Sequence, residues 1–161
     1  MSTATPKPIR CILFPTDFSP AANAAFEYAE RLAASTGARL LVLHVKQELP
    51  TVGPMSDLDG ETKRQLHAVQ PQSPDVDVER IVISGSPGAA ICWIAQERRC
   101  DQIVMGTHGR TGLINLLMGS VAEYVVRHAR CPVLSVPSRP RGEAPLPEPA
   151  IDFPPRIIQP L

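Results

Sequence analysis

The chain has 161 residues, of which 43% are hydrophobic and 20% charged, which is enough for one packed core and too short for two full-sized domains. Its 16 basic and 16 acidic residues cancel, so it lacks the positive field that draws proteins to nucleic acid or anionic lipid. Because residues 1–10 lack a signal-peptide core and no stretch approaches the roughly 20 apolar residues of a membrane span, we expect a cytoplasmic protein that binds neither nucleic acid nor membrane.

Five short apolar runs alternate with helical patterns along the chain. The runs cover residues 11–14, 40–45, 78–83, 103–105 and Val133–Val136. They are continuously apolar, which is typical of strands covered by helices on both faces. The pattern therefore predicts an α/β fold, built from repeated β-α-β units around a single open parallel sheet.

The helices between these runs have recognisable start signals. Ser19 with Pro20 predicts the N-cap and first residue of a helix that runs to Gly37, and Ser86 with Pro87 predicts a second in the same way. A weaker helical pattern covers residues 57–69, and another helix follows the glycine at position 119. We therefore expect four helices.

Several cysteines and aromatic residues are interpreted as structural. The four thiols, Cys11, Cys92, Cys100 and Cys131, form no CxxC pair, so neither a zinc site nor a redox motif is predicted. Cys11 and Cys92 fall in apolar runs, where burial is expected to raise the thiol pKa, and a reactive cysteine is the alternative. Phe26 and Trp93 are interpreted as packing residues.

The composition changes beyond residue 137. Eight of the 18 prolines lie in residues 137–161, where the apolar residues show no period. We therefore predict a leader over residues 1–8, one domain over 9–137 and a proline-rich tail over 138–161. Composition favours a disordered tail, and docking of its apolar residues 151–158 on a surface is the alternative.

A glycine-rich segment follows the fourth predicted strand. Gly106, Gly109 and Gly112 can turn their backbone N–H groups toward an anion, because glycine tolerates positive φ and has no Cβ. Gly119 and Ser120 then open a helix whose free N–H groups and positive dipole end would face the same place. Strand, loop and helix start together predict a cradle for phosphate groups.

The spacing Gly106-x2-Gly109-x9-Gly119-Ser120 resembles the ATP-binding signature of the universal stress protein family. The likeness extends to residues 12–19, 43–45, 85–87 and 101–134, and so covers about residues 9–137. It implies a five-stranded sheet in the order 3-2-1-4-5, Rossmann-like and similar to the adenine nucleotide alpha hydrolases. In such a sheet the ligand binds beyond the carboxyl ends of strands 1 and 4, where the strand order reverses.

The resemblance also implies which residues contact the nucleotide, taken as ATP with Mg²⁺ left open. Asp17 matches the family's acidic contact to the adenosine part, and Val45 matches the position whose backbone reads the adenine edge. Gly106, Gly109 and Arg110 would line the phosphates. The full expected set is Pro15, Thr16, Asp17, Val45, Met105, Gly106, Thr107, His108, Gly109, Arg110, Gly112, Gly119, Ser120 and Val121.

Some of these residues also have ordinary structural interpretations. Asp17 could simply cap the loop before Ser19, and Ser120 with Glu123 fits a capping box at the start of a helix. A lone loop histidine such as His108 is more often solvated than catalytic.

The segment lacks the Lys-Ser/Thr ending of a P-loop and offers no evident base, so fast hydrolysis, catalytic residues and a protein metal site are not expected. We expect a nucleotide-dependent sensor in the stress response. A slow ATPase or nucleotide transferase using the same pocket, and an interaction module that binds no nucleotide, are the alternatives.

Because the apolar strand Val133–Val136 should lie at a sheet edge, a homodimer through it is predicted, as is common in the family.

Overall fold

The computed structural model describes residues 7–47, 58–107 and 118–137. The strands are β1 (Cys11–Pro15), β2 (Arg39–Lys46), β3 (Val78–Ser84), β4 (Gln102–Gly106) and β5 (Val133–Val136), and the helices are α1 (Pro20–Thr36), α2 (Leu58–Ala68), α3 (Pro87–Glu97) and α4 (Ser120–His128). The strands begin and end within one residue of the predicted bounds. The predicted tail, 138–161, lies outside the described residues, as do residues 1–6 of the predicted leader.

All five strands belong to one parallel sheet in the order β3-β2-β1-β4-β5, which confirms the predicted topology. β1 is central, and its Leu13 pairs with Leu41 on one side and with Ile103 on the other. β5 pairs with β4 and forms one edge of the sheet. The chain leaves β1 toward β2 and leaves β4 toward β5, so its direction of travel across the sheet reverses between β1 and β4.

Side chains alternate between the two faces of the sheet, and each face has its own core. Ile12 and Phe14 of β1 pack with α1 and α2, whereas Cys11 and Leu13 pack with α3 and α4. Strands buried on both faces have to be continuously apolar, which is why the apolar runs identified them. None of the helices within the described ranges is long and apolar enough to cross a membrane.

The predicted starts of α1 and α3 are confirmed. The Ser19 hydroxyl accepts a hydrogen bond from the Ala22 N–H at 3.2 Å, and Pro20 is the first helical residue. α1 ends at Gly37, whose φ of 67° is the left-handed conformation that suits glycine. Ser86 is the N-cap of α3, although its side chain makes no capping hydrogen bond.

One of the two aromatic predictions is correct. The rings of Phe26 and Phe14 lie 5.2 Å apart at the core under α1. Trp93, in contrast, is 58% exposed, so its interpretation as a packing residue is wrong. The inner face of α3 is formed by Ile91 and Ile94, and a turn of about 100° per residue carries position 93 away from it.

The cysteines also depart from expectation, because the fold gathers all four at the core under α3 and α4. Burial raises the pKa of Cys92 and of Cys131, as predicted for the former. For Cys11 the prediction is wrong. A hydrogen bond from Cys100, helped by the Arg39 guanidinium, outweighs burial and lowers the pKa of Cys11 to about 7.

Two glycines on helices are expected to respond oppositely to alanine. A Cβ on Gly88 would lie 2.7–3.0 Å from side-chain atoms of Tyr124, where α3 packs on α4, whereas a Cβ on Gly60 in α2 meets nothing within 4 Å. We expect Gly88→Ala to lower the free energy of unfolding by about 1–2 kcal/mol through overpacking. Gly60→Ala should raise it by about 0.5–1 kcal/mol through helix propensity and a less flexible unfolded chain. Urea unfolding measures both, and equal shifts in one direction would contradict the α3–α4 packing.

Candidate functional site

The carboxyl ends of β1 and β4 lie side by side near the middle of the sheet. The two strands pair at Ile12 with Gln102 and at Leu13 with Ile103, so the residues that follow Pro15 and Gly106 emerge at the same edge. The chain turns away from this point in opposite directions, which opens a crevice of the kind where α/β sheets bind ligands. Pro15, Thr16 and Asp17 border it on the β1 side, and Met105, Gly106 and Thr107 on the β4 side.

The exit from β1 is fixed by hydrogen bonds. The Thr16 N–H donates to the Leu43 carbonyl at 2.8 Å, which carries the ladder one residue past the strand end. The Thr16 hydroxyl accepts from the Phe18 N–H at 3.0 Å, and its carbonyl lies 2.8 Å from Nδ1 of His44. The chain between β1 and α1 therefore presents a preformed border to the crevice.

Phe18 and His44 belong to this border although the sequence did not place them at the site. Phe18 has a φ of +64°, a left-handed conformation that costs a non-glycine residue about 1 kcal/mol or more. Its ring stacks on the imidazole of His44, with the ring centroids 4.5 Å apart. Neither a positive φ nor a stack between the β1–α1 loop and β2 leaves a local pattern in the sequence.

Asp17 caps the loop before α1, which is the structural alternative to contact with a ligand. Its Oδ1 accepts a hydrogen bond from the Ser19 N–H at 3.0 Å, two residues on. The side chain thus stabilises the turn that leads into α1, which confirms the loop-cap interpretation. Its contact with a nucleotide stays a prediction.

The exit from β4 and the start of α4 are joined directly. The Thr107 N–H donates to the Val136 carbonyl at 2.9 Å, and the Thr107 carbonyl accepts from the Gly119 N–H at 2.7 Å. The two ends of the glycine-rich segment are therefore one hydrogen bond apart. His108, Gly109, Arg110 and Gly112 lie between them, outside the described residues.

Gly119 is the N-cap of α4, with φ −72° and ψ 156°, and it offers no side chain to cap the helix. In an α-helix the first N–H groups have no partner within the helix and carry the positive end of its dipole. The backbone N–H groups of Ser120 and Val121 are in this position. The helix therefore presents donors for an anion beside the carboxyl end of β4.

Two features of this segment differ from its sequence patterns. Ser120 is the first helical residue instead of the N-cap, so it forms no capping box with Glu123, whose carboxylate pairs with Arg127 at 2.8 Å. Nor does Gly106, the one glycine of the predicted loop that lies within the described residues, use positive φ, because it is the last residue of a strand. Gly119, with the φ quoted above, likewise does not use the conformational freedom of glycine.

Val45 lies on the β2 side of the crevice, away from the start of α4. Pro15, the last residue of β1, pairs with Leu43, so Val45 extends two residues beyond that strand end. Its side chain is half-buried against the core under α3 and α4, and its backbone pairs in register with Ile83 of β3. The structure thus leaves Val45 at the rim of the crevice.

A second concave feature does not suit a phosphate. A groove of about 490 Å³ lies between α1 and α2, and its lining includes Glu27, Glu30, Gln65 and Phe18. Two carboxylates disfavour an anionic ligand, so we assign the candidate site to the backbone donors of the crevice. Across residues 7–47, 58–107 and 118–137, no group of three or more His, Cys, Asp or Glu could hold a metal ion.

Comparison with known proteins gives consistent matches. The model of the universal stress protein family matches residues 8–137. Universal stress protein MJ0531 of Methanocaldococcus jannaschii is 33% identical over an alignment of 143 residues, which covers 82% of this chain and 84% of that protein. The solved structure of the hypothetical protein MJ0577, from the same organism, superposes with a TM-score of 0.74 at 31% identity, covering 81% of this chain and 97% of that one.

A further solved structure is that of the universal stress protein from Archaeoglobus fulgidus in complex with dAMP. It superposes with a TM-score of 0.59 and covers 79% of this chain and 96% of that one. Its sequence identity is 24%, so it supports the shared fold alone.

Proposed function

Because this chain belongs to the universal stress protein family, we propose that it binds ATP in the crevice between β1 and β4. In this proposal the triphosphate lies against the start of α4, and nucleotide occupancy changes the surface that residues 106–119 present. The protein would then act as a nucleotide-dependent sensor or regulator in the stress response.

One observation carries the proposal: the hydrogen bond from the Gly119 N–H to the Thr107 carbonyl. It holds a helix start, whose N-cap Gly119 has no side chain, against the end of β4, so backbone donors and the helix dipole converge where the sheet opens. A triphosphate has many negatively charged oxygens, so several backbone N–H donors match it better than one cationic side chain does. Gly106, Gly109, Arg110 and Ser120 are the phosphate contacts that we propose.

The adenosine half is proposed to lie toward β2. Asp17 and Val45 border that side, with Pro15, Thr16 and Met105 forming the floor. One protein of this fold, the universal stress protein from Archaeoglobus fulgidus, is seen in complex with the adenine nucleotide dAMP. Mg²⁺, if bound, would be held mainly by the phosphates, because the described residues supply no cluster of three protein ligands.

Calorimetric titration of ATP into the full-length chain tests the proposal. We expect saturable binding, together with a Tm that rises with ATP concentration, because a ligand of the folded state stabilises it by mass action. Continuous product release by catalytic amounts of protein would favour the slow ATPase or transferase instead. No binding heat and an unchanged Tm would favour a module that works without nucleotide.

Substitutions at Asp17 separate its two roles. Asp17→Asn keeps an oxygen for the Ser19 N–H and should leave the free energy of unfolding unchanged within about 0.5 kcal/mol, while Asp17→Ala should lower it by about 1 kcal/mol. If the carboxylate also contacts the nucleotide, both changes weaken ATP binding by about tenfold, the worth of one charged hydrogen bond. Calorimetry and urea unfolding measure the two effects. An Asn variant that binds ATP as tightly as the parent chain would reduce Asp17 to a loop cap.

We also propose a homodimer through the edge strand β5. Leu134 on this strand is 38% exposed, and within the described ranges β5 has a strand partner, β4, along one edge only. Light scattering should give a dimer for the full-length chain, and Leu134→Lys should shift it toward monomer because the charge would be buried at the interface. A monomer in both cases would contradict the proposal.

The cytoplasmic location, and the division into residues 1–8, 9–137 and 138–161, stay predictions.

A further inference from the structure

Two thiols face each other at the end of the sheet opposite the crevice. Cys11 is the first residue of β1 and Cys100 precedes β4, and their sulfur atoms lie 3.5 Å apart. Both residues are buried, with 6% and 7% of their surfaces exposed. A disulfide needs about 2.05 Å between the sulfur atoms, so a shift of about 1.5 Å would join them.

The backbone holds the two thiols in this position. The Cys11 N–H donates to Oδ2 of Asp101 at 3.1 Å, and the Asp101 N–H donates to the Cys11 carbonyl at 2.8 Å. Asp101 also accepts from the Arg10 N–H and pairs with Lys7. Because Asp101 follows Cys100 directly, these bonds fix the approach of one cysteine to the other.

The two sulfur atoms have different chemical surroundings. Arg39, the first residue of β2, is in register with Cys11, and its guanidinium lies beside that sulfur while pairing with Glu79 at 3.0 Å. The hydrogen bond from Cys100 and the guanidinium together lower the pKa of Cys11, whereas the pKa of Cys100 is raised by its bond to Cys11 and by burial. Near neutral pH about half of the Cys11 side chains are thus nucleophilic thiolates, whereas Cys100 keeps its proton.

We propose that Cys11 and Cys100 form an oxidation site, at which hydrogen peroxide converts the facing thiols into a disulfide between the first residue of β1 and a residue two positions before β4. The Cys11 thiolate attacks one peroxide oxygen, the O–O bond breaks, and the released hydroxide takes up a proton to form water. The resulting sulfenic acid is attacked by the Cys100 sulfur, which forms the S–S bond and releases a second water. Two thiols lose two electrons, and the peroxide gains them.

This site is separate from the proposed nucleotide site. It lies at the amino ends of β1 and β4, and the crevice lies at their carboxyl ends. Peroxide is small enough to reach sulfur atoms that are almost buried, whereas bulkier oxidants are not. Because the two sites lie at opposite ends of the strands, the oxidation of Cys11 and Cys100 does not depend on ATP binding.

The first test identifies the bond. Reduced full-length chain is treated with one equivalent of hydrogen peroxide, alkylated under denaturing conditions and mapped by mass spectrometry. We expect a peptide pair joined through Cys11 and Cys100, absent from Cys11→Ser and Cys100→Ser and retained in the matched control Cys92→Ser. Alkylation of both residues after peroxide treatment, or a disulfide that uses Cys92 or Cys131, would overturn the proposal.

The second test keeps all four thiols and so avoids variants that fail to fold. Arg39→Gln removes the guanidinium beside Cys11, while Arg98→Gln removes the other guanidinium paired with Glu79, at 2.9 Å. If the pKa of Cys11 rises by one unit from about 7, its thiolate fraction at pH 7 falls about fivefold. Disulfide formation should therefore slow about fivefold in Arg39→Gln and stay unchanged in Arg98→Gln.

A pH profile of the rate distinguishes this positioning role from a loss of structure. The titratable and charged groups that face Cys11 are Cys100, Arg39 and Asp101, and of these only Arg39 is changed. The midpoint of the profile should move to higher pH in Arg39→Gln alone. Equal rates and equal midpoints in both arginine variants would show that Arg39 does not position the thiolate.

Discussion

Gly119→Asp is expected to weaken ATP binding strongly while making the folded chain more stable. Gly119 is the N-cap of α4, and its φ of −72° and ψ of 156° suit any residue. An N-cap carboxylate accepts hydrogen bonds from the first N–H groups of a helix and interacts favourably with its dipole, worth about 0.5–1 kcal/mol here. The same carboxylate would occupy the donors proposed for phosphate and repel its charge.

The size of the loss follows from simple electrostatics. Two unit charges about 4 Å apart repel by about 4 kcal/mol at an effective dielectric constant of 20. We therefore expect ATP affinity to fall by at least about 100-fold, because each 1.4 kcal/mol is a factor of ten. Gly119→Asn is the matched control: it caps the helix without a charge and should cost about tenfold by competing for the donors alone.

Calorimetric titration with ATP and thermal unfolding without it measure the two effects on the same samples. A higher Tm combined with weaker binding is the expected result. Undiminished affinity in Gly119→Asp would show that the nucleotide does not use the start of α4. A lower Tm would instead show that Gly119 is not the N-cap.

Val125→Ala should destabilise the chain strongly, and the neighbouring Val126→Ala should not. Both residues lie on α4, but Val125 is fully buried at the core under α3 and α4, whereas Val126 is 48% exposed. Removing two buried methyl groups costs their transfer free energy and leaves a cavity, for about 2–3 kcal/mol in total. An exposed substitution should stay within about 0.5 kcal/mol, since alanine also has the higher helix propensity.

Urea unfolding of the two variants compares the same chemical change one residue apart. It therefore tests which face of α4 packs on the sheet, and with it the position of the helix start at the crevice. Similar losses of unfolding free energy in both variants would mean that α4 is rotated about its axis from the orientation described above. ATP affinity should be unchanged in Val126→Ala, which serves as the folded reference.

Much of the fold could be predicted because its signals are local. A strand covered on both faces has to be apolar at every position, so the runs around Leu13 and Leu41 stand out in the sequence. Ser19 with Pro20 marks a helix start through the chemistry of two adjacent residues. The sheet order was not local information and came from the family resemblance.

The parts that were missed depend on contacts between distant residues or on backbone angles. Cys11 and Cys100 are 89 positions apart and meet only because β1 and β4 are neighbours. The implied sheet order contained this signal, since both cysteines stand at the amino ends of those strands. The positive φ of Phe18 and the choice of Gly119 over Ser120 as N-cap are set by tertiary packing.

Amide chemical shifts of the ¹⁵N-labelled full-length chain during an ATP titration test the central claim most directly. We expect saturable shifts for the amides of Gly119, Ser120 and Val121 and for the amides that follow β1, Thr16 and Asp17. The amides of Cys11 and Cys100 should not shift. Shifts confined to the groove between α1 and α2, or no saturable shift at the start of α4, would contradict the claim.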